Sequence, residues 1–514
     1  MGELAKPIRI PLAVTLNIEQ FSGATVTQFS SYMKNCVVEK VGPEPDQKMF
    51  ARHRPAFSLI VDNTTSKVKG RGIFFWNSNS TLYYVNDDTV YRGSYTSVGT
   101  ITSSTKRCYF TQIGTRIFFT DPANNQAWTI QTDHTLQQVT DAEFPATLAD
   151  GVVTLNGRGY VLDESGVIYS SDLENGTSWQ PLDFIEAERQ PDGGIYIGPH
   201  YDHIAVLGPR TIEFFQDKGN SPGSPLSRRE DVFYNVGAIS GDAVWQVGDV
   251  IYFLGTEAKG SVNVYKLEGF QLEKISDYGL NTYLSNLVYR EEKGVLFSGF
   301  QAQGRTYVLV TPYNTATPSY SDGYYTFVYS PETGFWHWFS TGLSGLGDSN
   351  SLELVDWTLR TGTSASLGRG ITAAGDIVSI YDALGAQDID ESTYVLAGYW
   401  AVGYAVGDDS NSSTMSVVIR TGPQDGTTNK YKFGRFLEIA GDYTDSAVTA
   451  TVAWSDTVST DAAFTGGGRT LDLSTKQKLS RLGRFVRRSH QITYSSSEPI
   501  RLEAIEIDVA LGDK

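Results

Sequence analysis

Cysteine is nearly absent from this 514-residue sequence; only Cys36 and Cys108 occur. That excludes a disulfide framework and any zinc knuckle built from CxxC pairs. Charge is sparse as well, at 19% of residues, and lopsided: 41 Lys and Arg face 58 Asp and Glu, a net charge of −17. A protein that grips nucleic acid neutralises phosphates with Lys and Arg, so a DNA binder of the usual kind is excluded. A wall that DNA merely passes is not. No run of 18 apolar residues exists, which excludes a helical membrane span. The opening MGELAKPIRIPLAVTLNIEQF has no unbroken apolar stretch, so no secretory signal is expected. Methionine is scarce too, with 4 residues.

What is present favours sheet. Apolar residues make up 40% and aromatics 12%, enough for a globular core, and 29 Tyr, 25 Phe and 51 Gly suit many short strands joined by turns. Length alone points to two to four domains. The stretch GTRIFFTDPANNQAWTI (Gly114 to Ile130) reads as a hairpin, with β-branched and aromatic arms around a turn of Asp, Pro and Asn. The same shape recurs in STLYYVNDDTVYRG, GRGYVLDESGVIYSS, HIAVLGPRTIEFFQ, GDVIYFLGTEAKGSVNVYKL and GRTYVLVTP, the last paired with YYTFVYSPETGFWHW. First arms begin near Leu82, Ile117, Tyr160, Ile204, Ile251 and Tyr307, about 35 to 56 residues apart. Units of three to four strands at this period are the signature of a β-propeller, in which stacking buries both faces of each small sheet. The spacing favours six blades. A further hairpin, GRGITAAGDIVSIYD (Gly368 to Asp382), allows seven. A β-sandwich with irregular hairpins is the plainer alternative.

Beyond Tyr381 the pattern changes. Strands are expected in Tyr399–Gly407, Met415–Gly422, Phe433–Tyr443, Val448–Thr457, Gly483–Ser495 and Ile500–Leu511. Val448, Ala450, Val452 and Trp454 share one face, as do Ile505, Ile507, Val509 and Leu511. Ile500, Leu502 and Ala504 alternate in the other phase, which predicts a bulge near Ala504-Ile505. The division expected is an extended leader over 1–55 packing on the propeller, the propeller itself over 56–385, and a C-terminal β-sandwich over 386–514. A polar stretch at Gln387–Ser392 separates the last two. A strand from the leader is expected to complete the last blade.

Several residue groups could carry chemistry. YSSDLENGTSW approximates the Asp-box of sialidase-like propellers through Asp172, Gly176 and Trp179, with two extra residues after Asp172. That device shapes a turn, and no arginine triad accompanies it, so it supports the propeller rather than an enzyme. His200, Asp202 and His203 are metal-ligand types, but on one strand the two histidines would point opposite ways; a surface loop is the expectation. Arg228-Arg229 and Arg487-Arg488 are read as solvated or paired at an interface, with contact to DNA or a neighbour's acidic rim as the alternative. Trp336 and Trp338 in GFWHWF are read as a packed outer strand rather than a sugar platform. No catalytic, cofactor-binding or metal-binding residue is assigned, no cofactor is expected, and the chain is not expected to be an enzyme.

The phrase QFSSYMKNCVVEKVGPEPDQKMFARHRPAF resembles the opening of tail nozzle, or packaged-DNA stabilisation, proteins of short-tailed (podovirus) bacteriophages. The matching residues are Tyr32, Asn35-Cys36, Glu39 and Arg54-Pro55, with Ala56 where Gly is usual. KGRGIFFWNSNSTLYYVNDDTVYRG resembles the family's first blade. WSDT and RLGRFVRRSHQITYSSSEPIRLEAIEIDV resemble its tail, with Thr457 in place of a second Asp. The resemblance implies a structural virion protein assembled in the host cytoplasm as a homo-oligomeric ring, a hexamer, below the portal and its adaptor. Such a ring extends the DNA channel, holds the packaged genome until ejection, and neighbours a tail needle, fibres or tailspikes. DNA passes through it without specific binding. A host-surface glycan-binding or depolymerising propeller is the alternative.

Overall fold

The computed structural model describes residues 7–19, 28–42, 48–55, 57–61, 69–187, 192–257, 260–302, 304–313, 325–340, 354–359, 368–373, 376–380, 416–456, 464, 468–496 and 500–512. The expected polar separator at Gln387–Ser392 and the expected strand at Tyr399–Gly407 lie outside them.

Seven small sheets succeed one another: blade 1 (70–100), blade 2 (109–138), blade 3 (153–186), blade 4 (196–228), blade 5 (236–274), blade 6 (294–339) and blade 7 (354–380). Blade 2 shows how local sequence makes each one. Arg116–Asp121 pairs with Gln126–Ile130, placing Phe119 opposite Trp128 and Ile117 opposite Ile130. Pro122 starts the single 3-10 turn between them, and Asn125 closes it at φ 53°. Proline presets its own φ, and asparagine tolerates the left-handed region better than a branched residue would.

The apolar runs on the second strands are continuous rather than alternating because both faces of each sheet are buried. Phe119 packs with Tyr83 and Val85 between blades 1 and 2, whereas its neighbour Phe118 packs with Val161 and Trp179 between blades 2 and 3. Tyr160 and Leu162 turn to Ile204 and Val206; Ala205 and Leu207 turn the other way to Phe253. Further clusters join blade 5 to 6 (Leu254, Phe297) and blade 6 to 7 (Phe300, Leu354), and Ile371 with Tyr84 joins blade 7 back to blade 1. The ring closes through strand Phe57–Val61, which pairs with Ile377–Ile380 as the outer strand of blade 7. The spacing favours six; the seventh is the hairpin that begins at Gly368, made a full blade by Leu354–Leu359 and by Phe57–Val61 from the other end of the propeller.

One α-helix occurs among the described residues, Tyr278–Arg290, between blades 5 and 6. Asp277 caps it by accepting a hydrogen bond from the Leu280 amide, and Leu280, Leu284 and Leu287 face the core. The all-strand reading overlooked it, although this spacing of leucines after Ser-Asp is a helix signal.

The remaining strands form two sheets around a single core. The first follows the order Cys36–Val41, Lys48–His53, Arg501–Leu511, Lys432–Gly441, Leu479–Phe485, with Ile8–Pro11 also on Arg501–Leu511. The second continues blade 6: Phe335–Phe339 meets Gln28–Lys34, then Ser416–Arg420, Ser489–Ser495, Thr449–Ser455 and Arg469–Asp472. Val38, Leu437, Ile505 and Ile507 from one sheet meet Val417, Ile419, Val452 and Ile492 from the other. The leader expected to pack on the propeller is therefore divided: Asn17–Glu19 and Gln28–Lys34 lie along blade 6, and its other strands enter the C-terminal sheet. The register slips between Ala440 and Gly441, opposite Ala504 and Leu502, so Ala504 and Ile505 are both buried.

Candidate functional site

The innermost strands of six blades surround a cavity of about 310 Å³ lined in part by Phe74, Tyr109, Tyr196, Gln246 and Thr358. That is the lower bound for a small-ligand pocket, and room for roughly ten waters at about 30 Å³ each. Duplex DNA, whose major groove alone is about 12 Å wide, cannot thread it. Arg107, on the way into blade 2, crosses the axis to the far side. Its guanidinium donates to the carbonyls of Val244 (3.2 Å), Phe297 (2.5 Å) and Val355 (3.0 Å), in blades 5, 6 and 7. Nearby, Tyr313 donates to Asp242 at 2.6 Å, and the Asp150 carboxylate occupies the place that a Cβ on Gly241 would need. Burial, with the Asp242 charge beside it, pushes the Asp150 carboxyl up to about 7, against the pull of Lys106 and Arg107. Between blades 1 and 2, Arg71 and Asp121 form a wholly buried ion pair, with Arg71 also donating to the Lys106, Asp87 and Thr102 carbonyls. Arg107 thus spans the axis with charge-assisted hydrogen bonds and leaves only the small cavity beside it.

A second polar centre joins propeller and C-terminal sheets, and it contains the residues of the phage-like phrase. Asn35 sits at φ 56°; its side chain donates to Ser340 Oγ (2.9 Å) and to the Ser416 carbonyl (3.0 Å) and accepts from the Ser340 amide (2.9 Å). Arg54, fully buried, donates to Asn35 Oδ1 (3.2 Å), the Pro55 carbonyl (2.8 Å) and the Ser340 carbonyl (2.9 Å). Phe57 and Phe339 pack against its guanidinium at 5.6 and 5.5 Å. Glu39 pairs with Arg52 and with Arg501, and Tyr32 carries the Arg420 guanidinium 4.7 Å above its ring. Cys36 is buried, and burial pushes its thiol up to about 12, so it is no nucleophile.

The other candidate residues fall as follows. Asp172 accepts from Ser178 and Gln180 inside its own hairpin, while Trp179 is buried beside Phe118 and Phe144 and donates to the Gly176 carbonyl. This is a turn and an inter-blade plug. His200 and His203 are opposite partners across a two-residue hairpin, so both rings reach Phe270; the opposite-facing reading holds for one strand and fails across a turn. Among the described residues no group of three or more His, Cys, Asp or Glu is placed to hold a metal. Arg228 pairs with Glu213, Arg229 with Asp231 and Arg488 with Asp456, whereas Arg487 is exposed. Trp336 and Trp338 are buried beneath the leader: Trp336 donates to the Ile275 carbonyl, and Trp338 packs with Phe29, Tyr32 and Tyr325. They offer no platform to a sugar. The Arg107 clasp escaped the sequence reading, because nothing local distinguishes it from a surface arginine.

Similar architectures recur among solved structures. Virginiamycin B lyase from Staphylococcus aureus matches at 8% identity and TM-score 0.40, over 63% of this chain and 98% of that one. The extracellular domain of the hybrid two component system BT4673 from B. thetaiotaomicron matches at 12% and 0.43, over 64% and 40%. BamB from Moraxella catarrhalis matches at 12% and 0.36, over 68% and 97%. These likenesses, all below a TM-score of 0.5, say nothing of what this chain binds. No curated protein matches the sequence. One family does, described as "Phage_stabilise: Bacteriophage P22 Gp10, beta-propeller", and it matches residues 25–347, from the Asn35 centre through blade 6. The chain belongs to this phage-stabilisation family of β-propeller tail proteins.

Proposed function

We propose that this phage structural protein forms a tail nozzle ring, of six copies, below the portal and its adaptor, where it extends the DNA channel and retains the packaged genome until ejection. The family match over residues 25–347 carries this reading. The fold supports it physically: seven inter-blade cores and a clasped axis make a stiff wall, and a net charge of −17 suits a surface past which a polyanion must slide. Because the propeller axis is crossed by Arg107 and its cavity is too small for a duplex, the DNA channel lies between copies. Its neighbours are the adaptor, a tail needle and fibres or tailspikes, and its place is the virion after assembly in the host cytoplasm. The working parts we assign are the propeller, 56–385, and a β-sandwich in which 1–55 joins 386–514, supported by the strand pairing across those segments.

Particles assembled without this protein are expected to package DNA and then lose it, read as genome content of purified particles. Particles that keep their genome would overturn the retention role. The isolated protein is expected to show no measurable affinity for duplex DNA near physiological salt, and micromolar or tighter binding in a mobility assay would reject the conduit.

A further inference from the structure

Excess acid is not spread evenly along the chain. Residues 416–512 hold 12 basic and 11 acidic side chains, so the whole surplus of acid lies elsewhere. Between Lys476 and Arg488 there are six basic residues and no acidic one. This run contains strand Leu479–Phe485, which forms one edge of its sheet with Lys432–Gly441 as its neighbour. Leu479, Leu482 and Phe485 point into the core; Arg481 and Arg484 are exposed, as is Arg487 beyond them. Among the described residues none of these three has a carboxylate within ion-pair distance, while nearby Arg488, Lys476 and Lys478 are paired to Asp456 and Glu438. Arg469 donates to the Ser480 and Arg481 carbonyls, and Arg481 at φ 59° bends the strand. A partner is thus offered cationic side chains rather than an open backbone edge.

The matching surface is on the propeller. In each blade the loop between second and third strands, and the loop leading to the next blade, emerge at the same end. Glu143 lies in the passage from blade 2 to blade 3, Glu164 in the blade 3 loop and Glu257 where the blade 5 loop begins; all three are exposed. Closed rings use heterologous interfaces, which require two different, complementary patches on one chain.

We propose that the Arg481–Arg484–Arg487 edge docks on the acidic loop end of the propeller in the neighbouring copy, supplying the heterologous contact of the ring. This rests on the ring reading above. The test is sedimentation of the full-length protein over a range of concentration and salt. Wild type is expected to associate, more weakly as salt rises, because exposed charges are screened beyond about 10 Å at 0.1 M. The variant R481E/R484E/R487E should keep its circular dichroism and melting temperature and associate at least tenfold more weakly. The variant E143K/E164K/E257K should fail alike, and an equimolar mixture of the two should recover association. An arginine variant that associates like wild type overturns the proposal and leaves the ring intact. Wild type that stays monomeric at every concentration and with adaptor overturns the ring reading too. Duplex DNA retained by wild type and lost by the arginine variant would instead make the edge a phosphate contact and reject it.

Discussion

The propeller and the C-terminal sheets solve the same burial problem in opposite ways. Between blades, most cores join sheets made from nearby sequence. The long-range exceptions are the closing strand Phe57–Val61, the seam of blade 7 with blade 1, and the leader residues Ile18 and Phe29 in the core of blades 5 and 6. The C-terminal core has no such local version: Ile8–Pro11 pairs with Ile507 to Ala504, and Lys48–His53 meets Arg501 and Leu502. A repeat can be assembled a unit at a time. A core knitted from distant strands is whole or absent.

The sharpest way to break this contrast is truncation. Residues 386–514 expressed alone lack the strands Ile8–Pro11, Cys36–Val41 and Lys48–His53, and should show no cooperative melt by near-ultraviolet circular dichroism. Fusing residues 1–55 to the same segment should restore one. A cooperative melt without the leader strands would make the C-terminal segment a domain in its own right.

Next comes a substitution confined to the propeller. Arg71→Met strands Asp121 in a site with no solvent access, which costs about 3–5 kcal/mol, and adding Asp121→Leu should return most of it. In urea the first variant should lower the propeller transition and leave the C-terminal one in place. Equal shifts of both would mean the halves unfold as one body.

Acid should separate the halves more gently. Burial lowers His53 and His490, both in the C-terminal unit, from 6.5 to about 3. The unfolded chain therefore takes up protons below about 6.5 that the fold refuses, and stability falls with pH across that window, by ~2 kcal/mol per histidine at pH 5. In the propeller His337 acts in the same direction. Asp150 is opposite: its carboxyl, raised to about 7, is protonated in the fold before it is in the unfolded chain, so stability rises as pH falls from 7 towards 4. Between pH 7 and 5 the C-terminal melting temperature should drop while that of the propeller changes little, and Asp150→Asn should make the propeller drop as well. A propeller indifferent to that substitution would place Asp150 in an ordinary, solvated setting.

The blades were legible because each hairpin carries its own instructions, such as Pro122 and Asn125 around one turn, or Phe118 and Phe119 set to opposite faces. The seventh blade was only half legible, since its outer strand comes from Phe57–Val61, some 300 residues from its partner. The helix had a visible signal in Asp277 and the leucines that follow. Arg107 had none: what makes it a clasp is a set of backbone carbonyls brought together by folding. The phrase around Asn35 and Arg54 was read as a family resemblance, and it is the joint where leader, blade 6 and C-terminal strand meet.

The salt bridge from Arg9 to Glu506 joins residues 497 positions apart, and its strand has no other strand to pair with until then. At about 5–20 residues per second on the ribosome, the wait between making Ile8 and making Ile507 is roughly 25–100 s. Through that time strand Ile8–Pro11 has no partner strand, and for all but its last few seconds the basic edge Leu479–Phe485 does not yet exist. If the proposed ring forms through that edge, a subunit still in synthesis has no finished patch with which to join it.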